Sequence, residues 1–357
     1  MIVGLGLGHR ARLARENFRF ARQAGATHIV ATLLNSSPAN APGTEEPFLV
    51  SRSRPDLWSR EALTELRRRV ESEDLHLEAV ESLEPADLHD VLLDGPLRTQ
   101  QIAGLQDIIR NLGAAGIPML GYQFSLAGVW GRHQTPVARG GARTWEFDSP
   151  QQPPIPRGMV WNHVYDGELF VSSRDTGASI GDLSSDELWR RYGEFLDAVL
   201  PVAEEAGVKL ALHPDDPPVP TLRGTARLVH RPELYDRVLA LSASPSNCME
   251  VCVGTLAEVD DSDIYQAMDH LSATGKIGYV HFRNVNGTVP QYREDFVDAG
   301  DTDMVAVLQI LARNGYKGVL VPDHTPELQC DAPWHSGMAY ALGWMRGALA
   351  AMNELAF

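Results

Sequence analysis

Four side chains that bind divalent metals stand at the ends of four successive short apolar runs. His213 closes VKLALH at 208–213, Cys252 lies near the end of CMEVCV at 248–253, His281 near the end of IGYVHF at 277–282, and Asp323 follows GVLVP at 318–322. Two neutral imidazoles, one thiolate and one carboxylate can together surround a divalent ion. Each residue alone has an ordinary reading: a hydrogen-bonded histidine, a small buried hydrophobe, a cap after a strand. Recurrence at the same end of four consecutive runs is what gives the set its weight. Ligand type alone favours zinc, and leaves manganese, iron and cobalt open where a hydroxy acid adds oxygen donors. His324, beside Asp323, is an acid/base candidate or an orienting group for a ligand. Asp215 and Asp216 follow His213, where they cap a turn or reach a substrate hydroxyl.

Such residues need a scaffold that gathers strand ends. The runs are near-continuously apolar, as strands covered on both faces are. Others precede them at 2–7 (IVGLGL), 28–33 (HIVATL), 75–80 (LHLEAV) and 118–124 (PMLGYQF). Helical patterns occupy 59–74, 99–115, 184–206, 301–315 and 335–353, with Ser59 and Asp301 placed as N-caps. Strands alternating with helices predict a (β/α)8 TIM barrel, an α/β fold that keeps catalytic groups at the C-terminal strand ends. A doubly wound sheet is the competing topology. Residues 131–184, rich in Pro, Gly, Arg and Thr, are too long for a plain connection. They are expected to form an insertion after strand 4, over the barrel mouth, within one domain spanning 1–357. Gly4, Gly6 and Gly8 lack the spacing of a dinucleotide-binding turn.

Composition narrows the partners. With 44% hydrophobic and 22% charged residues the chain reads as globular. A net charge of −16 argues against nucleic acid and anionic membrane as partners. A small anionic substrate is still compatible, because a local Arg or metal can hold it. Cys248, Cys252 and Cys330 are too few and too odd for a disulfide framework, which points to a reducing cytoplasm. The apolar start followed by Arg reverses the order of a secretory signal, and no run approaches the ~18 residues of a membrane span. The outer helices and the insertion offer surfaces through which copies could pair as a homo-oligomer.

The motifs in order resemble the mannonate dehydratase family, manganese-dependent sugar-acid lyases with a xylose-isomerase-like barrel. The resemblance rests on VESLE at 80–84, YQFSLAGVWGR at 122–132, HPDDPP at 213–218, the Cys-x-Gly-Thr at 252–255, HFRNV at 281–285, GDTDM at 300–304 and PDH at 322–324. It implies that His213, Cys252, His281 and Asp323 hold manganese, and that water is removed from a sugar acid to give a 2-keto-3-deoxy acid. Three places depart from the family pattern. Val129 stands where an Asp usually precedes the Trp, Val297 where a His usually precedes Gly-Asp, and Tyr340 is the nearest aromatic to a displaced Gly-Tyr.

The chemistry so implied is a β-elimination. A base removes the proton α to the carboxylate and an acid protonates the departing C3 hydroxyl. His324 is expected in one role and Tyr340, or a water at the metal, in the other. Arg132, Arg223 or Arg283 would hold the carboxylate by a paired contact, and Asp216 a hydroxyl. Two alternatives share the scaffold: a metal-dependent sugar isomerase or epimerase, and a non-catalytic sugar- or metal-binding barrel.

Overall fold

The computed structural model describes residues 1–34, 37–40, 47–148, 154–155, 159–161, 163–165 and 182–353. Eight parallel strands close a barrel: β1 (Ile2–Leu7), β2 (His28–Thr32), β3 (His76–Glu81), β4 (Met119–Tyr122), β5 (Lys209–Leu212), β6 (Asn247–Cys252), β7 (Ile277–His281) and β8 (Val319–Val321). Each pairs with its sequence neighbour, and β8 returns to β1 through Ile2 opposite Val319 and Val3 opposite Leu320. Side chains alternate between two apolar layers, as the two-residue period of a strand requires. Val30, Ala79, Met119, Ala211, Cys248, Tyr279, Val319 and Val321 fill the interior. Leu5, Ile29, Leu120, Leu212, Val251, Val280 and Leu320 join the larger cluster under the helices. That double burial is why the strand sequences are apolar without interruption.

The helices are α1 (Arg15–Gln23), α2 (Arg60–Glu71), α3 (Pro85–Leu93), α4 (Arg98–Ala114), α5 (Ser185–Ala206), α6 (Leu234–Leu241), α7 (Val253–Ala257), α8 (Ile264–Ala273), α9 (Met304–Arg313) and α10 (Pro333–Ala351). Ser59 caps α2, accepting from the Ala62 N–H. The expected cap at Asp301 is corrected. Asp303 caps α9 by accepting from Val305 and Ala306, while the Asp301 carboxylate accepts from the Gly287 N–H and the Asn286 amide. Both aspartates suit a cap chemically, and the turn between β7 and α9 decides which one reaches the helix. Among the described residues no helix is long and apolar enough to cross a membrane, and all three cysteines are free.

Much of the 131–184 stretch lies outside the described residues. Its first part is a hairpin, Arg132–Ala138 against Ala142–Phe147. This hairpin pairs with a second one, Asn284–Thr288 and Gln291–Asp295, that follows β7, giving a four-stranded antiparallel sheet. Residues 159–160 and 163–165 join 37–40 and 47–51 in another sheet. The periodicity of 131–184 alone showed neither pairing, since each depends on a loop distant in sequence.

Candidate metal centre and active site

Strand register sets the ligands side by side. Cys252 at the end of β6 lies directly opposite His281 at the end of β7, and His281 opposite Val321 of β8, two residues before Asp323. Ligand atoms of His213, Cys252 and His281 all lie within 4.8 Å of one another. Asp323 joins through its Oδ2, 3.5 Å from His281 Nδ1.

Hydrogen bonding fixes which imidazole nitrogens are available. His213 Nδ1 lies 2.6 Å from the Pro214 carbonyl. A carbonyl can only accept, so Nδ1 carries the proton and Nε2 faces the cluster. In His281 the assignment is reversed. Nε2 lies 3.2 Å from Glu81 Oε2 and 3.1 Å from Glu250 Oε1, while the buried Nδ1 has no hydrogen-bond partner among the described residues. Carboxylates behind the distant nitrogen of a histidine ligand hold its tautomer and raise its basicity. Nδ1 therefore faces Asp323 and is the nitrogen left for a metal to take. A buried, unpartnered nitrogen beside a thiol, a second imidazole and a carboxylate fits a divalent ion by donor chemistry.

The charges agree. Burial opposes ionisation of Cys252, but Arg283 and the two imidazoles outweigh it and hold the thiol well below its usual range. Asp323 is likewise held low against burial by His281, His324 and Arg283. Burial disfavours the cationic imidazoles, yet Glu250 and Cys252 push His213 up to about 9. Asp323, Glu250 and Glu81 raise His281 well above the ordinary histidine range. The protons on these rings occupy the electrostatic place of a divalent cation, and metal binding would release them.

Beneath the ligands is a carboxylate floor that the sequence reading did not assign. Glu250 shares the inward face of β6 with Cys252, two residues on, and is fully buried. Its Oε2 accepts from the Tyr279 hydroxyl at 2.5 Å. Gly121 makes room for this pair: a Cβ there would fall 2.0 Å from the Tyr279 oxygen and 2.7 Å from Glu250 Oε2. Glu81, Glu250 and His281 form a second group with metal-ligand spacing. The available signals were an acid inside the apolar run CMEVCV, at even spacing from a candidate ligand, and Glu81 within VESLE.

A second buried cluster adjoins the first. Arg283 donates to Asp323 Oδ2 (3.2 Å), Glu258 Oε1 (2.6 Å), Asp216 Oδ2 (2.8 Å) and the Thr255 hydroxyl (2.9 Å). Arg132 donates to Asp216 Oδ2 (2.6 Å) and Glu294 Oε1 (2.7 Å), and lies 3.3 Å from His324 Nδ1. Tyr292 donates to Asp216 Oδ1 at 2.8 Å. Asp215 accepts from the Leu228 and Val229 N–H groups and pairs with Arg227.

This site lies on a chain whose residues 18–356 match the family described as D-mannonate dehydratase (UxuA). The chain belongs to the D-mannonate dehydratase family. It is 31% identical over 277 residues to a mannonate dehydratase of Streptococcus suis, covering 75% of this chain and 74% of the relative. It is 29% identical over 278 residues to mannonate dehydratase 2 of Halalkalibacterium halodurans, covering 75% and 79%. In fold it resembles the crystal structure of mannonate dehydratase from Streptococcus suis serotype 2, with a TM-score of 0.76, 24% identity, and 100% and 96% of the two chains covered. An L-ribulose 3-epimerase shares the barrel at a TM-score of 0.55 and 15% identity, over 99% and 95% of the chains.

Within this family site the remaining expected residues separate. His324 is at the site and 39% exposed, its Nδ1 2.9 Å from Glu294 Oε1 and its Nε2 3.5 Å from Asp323 Oδ1. Burial opposes its protonation, but Asp323 and Glu294 raise its pKa. Arg132, Arg283 and Asp216 are expected at the substrate, yet they are paired chiefly with one another and with protein carboxylates, and Arg132 Nε alone of their nitrogens is buried without a hydrogen-bond partner among the described residues. Arg283 in particular spends four of its five N–H donors on protein groups, with Glu294 Oε1 3.6 Å from Nη1. Arg223 is buried, stacked 3.8 Å over Trp130, and donates to the Pro154 carbonyl. Tyr340 is not brought to the ligands. It is 36% exposed on α10 and donates to Asp298 at 2.6 Å, with Arg139 donating to it. Its helix carries it to a surface pair instead of to the strand ends. Of the other two departures, Val129 is exposed and Val297 is packed in the core.

Proposed function

We propose that the chain is a metal-dependent hydro-lyase that removes water from D-mannonate, or a closely related aldonate, to give 2-keto-3-deoxy-D-gluconate or its counterpart. The observation that carries this reading is the clustering of His213, Cys252 and His281, with Asp323 Oδ2 3.5 Å from His281 Nδ1 and the partly exposed His324 next to it. Those four residues would hold manganese, the ion that the family resemblance implies. When bound it supplies Lewis-acid stabilisation of the charge that develops on the substrate's carboxylate side.

The chain's own groups handle the protons. His324, whose pKa Asp323 and Glu294 raise against burial, donates to the C3 hydroxyl as the C3–O bond breaks and water leaves. The C2–H bond breaks in the same elimination, its electron pair forming the C2–C3 double bond, and the enol then becomes the 2-keto acid. A carboxylate of the site takes the C2 proton. Glu81 is our choice: at 22% exposure it is reachable, whereas Glu250, Glu258 and Glu294 are sealed. The Arg283–Asp216–Arg132 network keeps the wall of the site rigid.

His324→Ala tests the assignment. Dehydration, read as a product lighter by one water, should fall about 10²- to 10⁴-fold while bound metal stays at the wild-type level. Intact turnover in that variant would overturn the role of His324. Products of unchanged mass from the wild type would favour an isomerase or epimerase.

A further inference from the structure

We propose that Arg12, stacked on Trp334 at the barrel mouth, holds a second anionic group of the substrate, at the end remote from the metal ligands. This rests on the sugar-acid reading above and names which sugar acids the site takes. The loop that follows β1 carries His9 and Arg12, and β1 pairs with β8, whose end carries Asp323 and His324.

Arg12 differs from the other guanidiniums of the mouth in its partners. Arg132 and Arg283 are neutralised by protein carboxylates. Arg12 is half-buried, its guanidinium 4.2 Å above the Trp334 ring, and among the described residues it makes no ion pair or side-chain hydrogen bond. Glu327 acts on it from beyond ion-pair distance, and burial lowers its pKa. Stacking uses the face of the guanidinium and leaves its N–H edge free, the edge that grips carboxylate or phosphate with two parallel bonds. A partly desolvated cation without a counter-ion is costly until an anion completes it.

The loop is also held in place. Asn17 donates to the Arg12 carbonyl at 2.9 Å, and His335 of α10 pairs with Asn17 Oδ1 at 2.9 Å. Burial lowers the pKa of His9, and Arg12 and His324 act on it electrostatically in the same direction. A chain whose C1 carboxylate lies at the metal ligands and whose C3 hydroxyl faces His324 would send its far end toward this loop.

The test compares mannonate, mannarate with its second carboxylate at C6, and 6-phosphomannonate, using wild type, Arg12→Gln and Arg12→Lys loaded with manganese. The wild type should favour at least one dianionic acid over mannonate in kcat/KM. Arg12→Gln should remove that preference by raising KM about 10- to 100-fold for the dianion, with mannonate changed less than about 2-fold. Arg12→Lys should retain part of it, and the carboxylate and phosphate arms identify the anion. No preference in the wild type, or equal losses for all three acids, would overturn the subsite. If the wild type dehydrates none of them, the lyase reading fails instead. Calorimetric titration of the same acids then still tests the subsite, which requires weaker binding of the dianion by Arg12→Gln and would be refuted by equal binding.

Discussion

Two buried clusters of ionisable groups touch at Asp323, and they are completed in opposite ways. Around Arg283 and Arg132, permanent cations meet Asp216, Glu258, Glu294 and Asp323 at 2.6 to 3.2 Å, so each guanidinium is countered by carboxylates of the protein itself. Around His281 the cations are protons on imidazoles, and one buried nitrogen has no hydrogen-bond partner among the described residues. A guanidinium cannot give up its charge, whereas an imidazole can exchange its proton for a metal. The first cluster is thus a finished wall. The second is a receptor for a cation from outside the chain.

The variant that breaks this contrast most severely is His281→Ala, because His281 belongs to both candidate ligand groups. Metal content measured by elemental analysis should fall to background, and dehydration should drop by about 10⁴-fold or more as charge stabilisation is lost. Retained metal would place the ion elsewhere. Arg283→Met attacks the finished wall instead. It leaves buried carboxylates uncompensated and should cost about 3–5 kcal/mol in denaturant unfolding, whether or not metal is present. A loss seen in activity alone would show that Arg283 works on substrate after all.

Glu250→Gln probes the link between floor and ligands. It keeps the shape but weakens the hold on His281, and should lower manganese affinity about 10- to 100-fold in chelator competition. Metal-free unfolding should change far less. An unaltered affinity would leave Glu250 a packing residue of the barrel.

The mildest test concerns burial without a cation. Asp87, near the start of α3, is raised to about 6, chiefly by burial. Asp216 is equally buried but held low, because Arg132 and Arg283 outweigh its desolvation. An acid whose folded pKa lies above its unfolded value binds its proton more tightly when folded. The contribution of Asp87 to stability therefore falls as pH rises from about 4 to about 6, then levels. Asp87→Asn should flatten that decline, giving a relative gain on the order of 1–2 kcal/mol above pH 6. Identical pH–stability curves for the variant and wild type would remove Asp87 as its source.

The local sequence determined a good deal of this protein. Strands buried on both faces must be apolar throughout, so the runs that became β1 to β8 could be read within a residue or two. Residues at the ends of parallel barrel strands share one mouth, so His213, Cys252, His281 and Asp323 could be grouped before any coordinates. Ser59 declared itself as a cap because its partner is three residues away. Other features were decided by the tertiary structure, because their partners lie far along the chain. Glu250 becomes a support for His281 only when β6 and β7 pair in register, and Arg132 reaches Asp216 only when the hairpin after β4 folds over the mouth. Tyr340 was drawn toward the chemistry by motif position, but its helix faces Asp298. Electrostatic completion is a property of space: nothing local to an arginine says whether a carboxylate will meet it. The chain's 28 arginines among 31 basic residues look alike in sequence, and the fold alone distinguishes the paired Arg283 from Arg12, unpaired among the described residues.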